Sequence, residues 1–166
     1  MVHLVDKSTN KTIEIRLISE DDLIRNESVL TNLLEDNLRI NFHNIDLTEL
    51  VNSGYNNMLQ FQRDGSAILI GAFEGVTIIG FLWSYLREVM GEQRVHIGHL
   101  IVDSRSRSEG IGTKLMNTLE GIANEKGIKK FELMTTVEND KTMKFYRSNG
   151  FVTVRVQLEK ELGGTK

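Results

Sequence analysis

Apolar positions along this chain change their spacing several times, and the changes mark alternating strands and helices. From Thr12 to Ile18, Ile13, Ile15 and Leu17 alternate with Glu14 and Arg16, the period of two of a strand. Ser19-Glu20-Asp21-Asp22 then sets an acid three residues after a serine, a helix-start signature. Helical spacing runs on to about Ile40, and a second helix is predicted over Asp46 to Gln62. Ala67 to Phe73 and Val76 to Tyr85 read as strands around a Glu74-Gly75 hairpin turn, and Arg94 to Val102 as another strand. A polar loop from Asp103 to Gly112 follows. Thr113 to Lys126 is then a helix with Leu115, Leu119, Ile122 and Ala123 on one face, stopped at Gly127. Phe131 to Val137 is a strand and Asp140 to Ser148 a helix capped by Asn149-Gly150. A closing strand is predicted from Phe151 to Leu162, where Val152, Val154, Val156 and Leu158 alternate. An antiparallel hairpin early and a βαβα order late predict an α+β or mixed α/β sheet flanked by helices.

Composition narrows the class. At 166 residues, without a repeat or a linker, the chain reads as a single domain, 1–166. It has no Cys, which excludes a disulfide framework, a thiolate metal site and a cysteine nucleophile together. The absence of Cys also suits a reducing compartment. No stretch approaches a membrane span, and Met1-Val-His-Leu-Val-Asp-Lys lacks the basic start and apolar run of a signal peptide, so a cytoplasmic protein with no membrane partner is expected. The net charge of −3 argues against nucleic acid as a partner.

The chemistry concentrates in one segment. The strand ending Leu100-Ile101-Val102 feeds a loop, Asp103-Ser-Arg-Ser-Arg-Ser-Glu-Gly-Ile-Gly112, which opens a helix. Backbone N–H groups at such a helix start form an anion site, typically for phosphate, and Arg105 and Arg107 add charged donors. Two familiar phosphate motifs do not fit. Gly112 is followed by Thr113-Lys114 with no earlier glycine at Walker spacing, and Leu115 stands where a dinucleotide fingerprint needs its third glycine.

Arg107-Ser108-Glu109-Gly110-Ile111-Gly112 resembles the Arg/Gln-x-x-Gly-x-Gly/Ala signature of the GNAT superfamily of acetyl-coenzyme A-dependent N-acyltransferases. A second segment, from Asn139 through Phe145-Tyr146 to Gly150-Phe151, resembles that family's later Asn-x₆-Tyr-x₃-Gly-Phe pattern. Ile13-Glu-Ile-Arg16 and Leu158-Glu-Lys-Glu-Leu162 also look like family ends, so the resemblance spans essentially the whole chain. There are departures: Thr142 stands where the family usually has Ala, Asp103-Ser104 replaces Asp-Pro, and the stretch after Phe151 is shorter than the customary hairpin.

The resemblance implies a sheet splayed at an acyl-CoA site, acetyl-CoA as cosubstrate and an amine as acceptor. It leaves a homodimer open. The backbone of Ser108, Glu109, Gly110, Ile111, Gly112 and Thr113 would hold the pyrophosphate. The pantetheine arm would pair with the edge of Leu100-Ile101-Val102, as an added strand does, and Asn139 would meet it from the next strand end. For Asn139 a plain N-cap role before Asp140 is the alternative.

An amine attacks only when neutral, and a lysine-like amine is about 0.1% neutral at pH 7.4. Candidate bases are His96, His99 and Glu132. His96, fourteen residues before Gly110, is where the resemblance puts a base acting directly or through water. Strict alternation along 94–102 puts His96, Gly98, Leu100 and Val102 on one face and His99 on the other. That separation argues against a metal held by both imidazoles. Tyr146 falls at the family's general-acid position, where a phenol is protonated at neutral pH and can donate to the departing thiolate. Trp83 and Tyr85 are either hairpin packing or a substrate wall. The reading from another class is a non-catalytic acyl-CoA sensor on the same fold, which would not need Tyr146.

Overall fold

A computed structural model of the chain describes residues 2–5, 12–40, 42, 45–158, 160 and 162. It divides into two compact units, residues 1–134 and 135–166. The first holds a six-stranded sheet in the order β1 (Val2–Val5), β2 (Thr12–Leu17), β3 (Ala67–Glu74), β4 (Thr77–Val89), β5 (Glu92–Val102) and β6 (Lys130–Leu133). Neighbours are antiparallel except β5 and β6, which run parallel. The sheet is mixed, as the pattern predicts, and largely antiparallel.

The long helix expected from Ser19 to Ile40 is two helices, α1 (Glu20–Arg25) and α2 (Glu27–Arg39). Asn26 breaks them apart. Its buried side chain donates to the Asp22 and Val76 carbonyls and accepts from the Ile78 N–H, so a long-range bond to the start of β4 overrides local helical spacing. Ser19 and Asp22 form the capping box that opens α1. Arg16 grips the Asp22 carboxylate with two nitrogens at 2.6 and 3.0 Å while lying 3.7 Å over the Phe73 ring, and so fastens α1 to β2. Helix α3 (Thr48–Arg63) starts after Asp46, whose carboxylate accepts from the Thr48 N–H.

Side chains from α1, α2 and α3, among them Leu23, Leu30, Leu34, Val51 and Met58, form one core with Phe73, Phe81, Trp83 and Ile101 of the sheet. The alternate residues Ile70, Ala72, Leu82 and Ile97 are buried outside that cluster. Helix α4 (Ile111–Glu125) packs on the central strands, with Leu115, Met116, Leu119 and Ala123 buried. Both faces of the central strands are therefore covered, which accounts for the near-continuous apolar runs of β3 and β4.

The hairpin between β4 and β5 is longer than its apolar core suggested. Its turn is Met90-Gly91, both at positive φ (54° and 76°), and charged residues on both arms hide the strand pattern there. Strand β1 had no predicted counterpart.

In the second unit α5 (Asp140–Ser148) has the expected bounds. The strand predicted from Phe131 to Val137 ends at Leu133, inside the first unit. The closing strand expected from Phe151 is not formed over residues 151–158, and Val152, Val154, Val156 and Leu158 are exposed. Alternation alone makes no strand; it needs an edge to pair with, and the second unit offers none among its described residues. Glu159 and Glu161 of that prediction lie outside the described residues.

Candidate functional site

β5 opens the site. Its parallel ladder with β6 pairs Arg94 with Lys130 and ends at Ile97 opposite Leu133. Beyond it, β5 runs on to Val102 paired with β4 alone, Leu100 facing Leu82, Ile101 facing Phe81 and Val102 facing Gly80. On the β6 side, residues 98–102 have no strand partner among the described residues, so backbone donors and acceptors there face outward.

The glycine loop follows at once. Asp103 accepts from the Arg105 N–H at 2.9 Å and from the Arg105 guanidinium at 3.1 and 2.7 Å, closing the single 3₁₀ turn Ser104–Ser106. These bonds to Arg105 hold the Asp103 carboxyl at about 2. Arg107 donates through Nε to the Val102 carbonyl at 3.1 Å. Arg105 is thus paired with Asp103, and Arg107 is tied through Nε to the end of β5. Ser108 (φ 70°) and Gly110 (φ 74°) are left-handed, and Gly110 is the residue from which α4 starts. The first intrahelical bond runs from the Lys114 N–H to the Gly110 carbonyl, which leaves the N–H groups of Ile111, Gly112 and Thr113 without a helical partner. Buried Ile111 anchors this end, two residues earlier than the predicted start.

The two histidines are not on opposite faces. The register of β4 with β5 shifts at Trp83/Ser84: Trp83 faces His99, Ser84 faces Ile97, and Gly98 is the inserted residue of a β-bulge. One extra residue resets the alternation, so His99 joins His96 on the face of Trp83, Tyr85 and Arg87. Ring contacts agree. The Trp83 ring stacks between Phe61 of α3 (5.7 Å between centroids) and His99 (5.4 Å), and Tyr85 lies 5.0 Å from His96. Burial pushes the His99 imidazole down to about 4, so it is neutral at physiological pH. Trp83 is hairpin packing, with its indole N–H buried and lacking a hydrogen-bond partner.

His96 is buried beside β6, its Nδ1 3.3 Å from Oε1 of Glu132. That carboxylate also meets Nε of Arg87 and, at 3.5 Å, Nη1 of Arg94. Burial acts to raise the Glu132 carboxyl, but the His96 hydrogen bond and the charges of Arg87 and Arg94 outweigh it and hold the group below the usual carboxylate range. The sequence supplied His96 and Glu132 as rival bases; the parallel register makes them neighbours. Arg87 and Arg94 went unnoticed because only that register brings them to Glu132. An isolated glycine inside a strand pattern was the available signal for the bulge.

In the second unit Asn139 caps α5, its side chain accepting from the Thr142 N–H at 3.2 Å. Tyr146 sits edge-on to the rings of Phe145 and Phe151, at 5.3 and 5.4 Å. Burial raises its phenol to about 12, so it carries its proton at any pH where the protein works. Among the described residues no group of three or more His, Asp or Glu side chains could hold a metal ion.

The model of the acetyltransferase (GNAT) family matches residues 30–151, and the chain belongs to that family. Solved structures share the fold. A GCN5-related N-acetyltransferase from Ralstonia eutropha JMP134 aligns with a TM-score of 0.74 and 23% identity, over 92% of this chain and 99% of that one. An aminoglycoside acetyltransferase from an uncultured soil metagenomic sample, meta-AAC0020, aligns with a TM-score of 0.69 and 23% identity, over 90% and 96%. A transcriptional regulator from Bacillus halodurans C-125 aligns with a TM-score of 0.70 and 23% identity, over 90% and 99%. No curated protein matches the chain.

Proposed function

We propose that this acetyltransferase moves the acetyl group of acetyl-CoA onto a primary amine, of a small molecule or of a protein, by direct attack on the thioester. The observation that carries this reading is the free edge of residues 98–102 running straight into the loop of left-handed Ser108 and Gly110. A pantetheine arm carries amides that bond such an edge as an added strand would. The pyrophosphate fits the N–H groups from Ser108 to Thr113 at the positive end of α4. Arg107 serves here by tying the loop to Val102, and Asn139 by shaping the start of α5.

His96 is the base that takes the proton of the attacking amine, and Tyr146 the acid that protonates the departing thiolate. A protonated phenol suits that second role, because a thiol with a pKa near 8.5 leaves more readily once protonated. The chemistry asks for no metal. Residues 1–166 act as one catalytic domain in this reading, in the cytoplasm, where a chain without cysteine is at no disadvantage. Among the described residues no helix is long and apolar enough to cross a membrane.

Thermal unfolding with and without ligands tests the cosubstrate. Acetyl-CoA and CoA at a hundredfold excess over Kd stabilise the protein by about 2.7 kcal/mol, with NAD and ATP far less effective. Gly110→Val removes the shift, since a β-branched residue does not adopt φ 74° without strain. Thiol release from acetyl-CoA against a panel of amines and peptides then finds the acceptor. Equal stabilisation by NAD, or thiol release with no amine of the panel, overturns the reading.

A further inference from the structure

We propose that Glu132 is a positioning residue: its carboxylate, held by Arg87 and Arg94, fixes the His96 imidazole with its proton on Nδ1, so that Nε2 is the atom that takes the proton of the attacking amine. This rests on the reading of His96 as the base.

Parallel pairing sets His96 directly beside Glu132, and both side chains lie on the face that Tyr85 and Arg87 share. An ionised carboxylate can only accept, so the 3.3 Å contact requires the hydrogen on Nδ1. A free imidazole in water favours the other tautomer; here the neighbour chooses. With Nδ1 committed, the lone pair is on Nε2.

The surrounding charges explain why the carboxylate serves as the holder rather than as the base. Arg87 on β4 and Arg94 on β5 both bond Glu132, which keeps it ionised and a poor proton acceptor. Lys130 on β6 is occupied by Glu92, which also takes the second nitrogen of Arg94. Tyr85 presents its ring to His96. Among the described residues, no charged side chain of α2 or α4 is hydrogen-bonded or ion-paired to His96. Among the described residues Glu132 is the carboxylate recorded against the imidazole, and two arginines beyond it would oppose an imidazolium if that anion were lost.

In the step itself an ammonium acceptor gives one proton to Nε2, leaving a neutral amine and an imidazolium whose charge faces Glu132. The amine nitrogen bonds to the thioester carbonyl carbon, the C–S bond breaks and the thiolate takes its proton from the acid, while the second proton, lost from the nitrogen as the amide forms, passes through solvent to restore the acid. Glu132 stays ionised throughout, and His96 returns its proton to solvent after release of the amide.

Nitrogen-15 NMR of the histidine side chains in the whole protein tests the tautomer without any turnover. The expected result is a neutral His96 protonated on Nδ1, assigned by its loss in His96→Ala. Neutral His96 protonated on Nε2 would overturn the proposal. Kinetics test the role. In Glu132→Gln, kcat/KM falls about tenfold or more, because the carboxylate that faces the imidazolium formed in the step has been removed. KM for acetyl-CoA stays the same. In the double variant His96→Ala/Glu132→Gln, activity equals that of His96→Ala, because Glu132 acts only through His96. A further large loss in the double variant would make Glu132 a base in its own right and sink the proposal, as would an unchanged kcat/KM in Glu132→Gln. If wild type acetylates no amine, the proposed function fails instead, and the NMR result still reports the His96–Glu132 pairing.

Discussion

His99 provides a sharp test of how the sheet is built, because its burial is a consequence of the bulge at Gly98. The imidazole stacks on Trp83, and burial holds it at about 4 against an ordinary value of 6.5. Below pH 6.5 the unfolded chain takes up a proton that the folded state refuses until near pH 4, so in this window the unfolded state binds more protons and stability rises with pH. The contribution is fully present above about pH 6.5 and is lost as pH falls toward 4. Over the whole window the shift is worth about 3 kcal/mol, and between pH 7 and pH 5 about 2 kcal/mol. Urea unfolding followed by Trp83 fluorescence measures it cleanly, since Trp83 is the chain's single tryptophan. Carboxylates such as Asp22, held down by Arg16, also make wild type acid-sensitive, so the quantity to compare is a difference. From pH 7 to pH 5, wild type should lose about 2 kcal/mol more than His99→Gln. Equal losses in the two proteins would mean that His99 titrates normally, is not buried against Trp83, and that the bulge is misplaced.

Two further outcomes follow from the same geometry. Gly98→Ala puts a Cβ 2.9 Å from the Trp83 ring, which Phe61 and His99 hold from either side; overpacking should cost about 1–3 kcal/mol, lower Tm by about 2–10 °C and shift the tryptophan emission, and an unchanged Tm and spectrum would refute the contact. Tyr146→Phe keeps the ring between Phe145 and Phe151 and removes the proton donor, so turnover should fall about 10²–10⁴-fold while acetyl-CoA affinity by calorimetry stays near wild type; turnover within a factor of about three, or a parallel loss of affinity, would take the acid role from Tyr146.

What could be read from the chain were the features governed by local periodicity. The apolar stripe of α4, the bounds of α5 and the alternation of β2 all follow from spacing within a dozen residues. The loop was legible too, because Gly110 supplies the left-handed residue (φ 74°) from which α4 starts, a local choice that glycine makes without strain. Features set by a distant partner were not. Asn26 interrupts a helical pattern because Ile78, fifty-two residues on, bonds its side chain. The Val152–Leu158 alternation looks like β2 and has no ladder to join. Arg87, Arg94 and Glu132 are ordinary charged residues until three strands align them.

Gly98 shows how one residue can govern both the fold and the site. A bulge adds a residue to one strand of a pair, bends that strand and increases its twist. Here it falls on β5 immediately after Ile97, the last residue paired to β6. A bulge at this point bends β5, and the free edge at 98–102 begins directly after Ile97, where β6 also ends at Leu133. The same insertion turns His99 toward Trp83 while leaving His96 beside Glu132. Without it, strict alternation would send His99 to the α4 side of the sheet, where Val95 and Ile97 are already buried. The free edge of 98–102 and the His96 imidazole therefore lie on either side of a single irregularity. A glycine serves there because the Trp83 ring occupies the space a side chain would need.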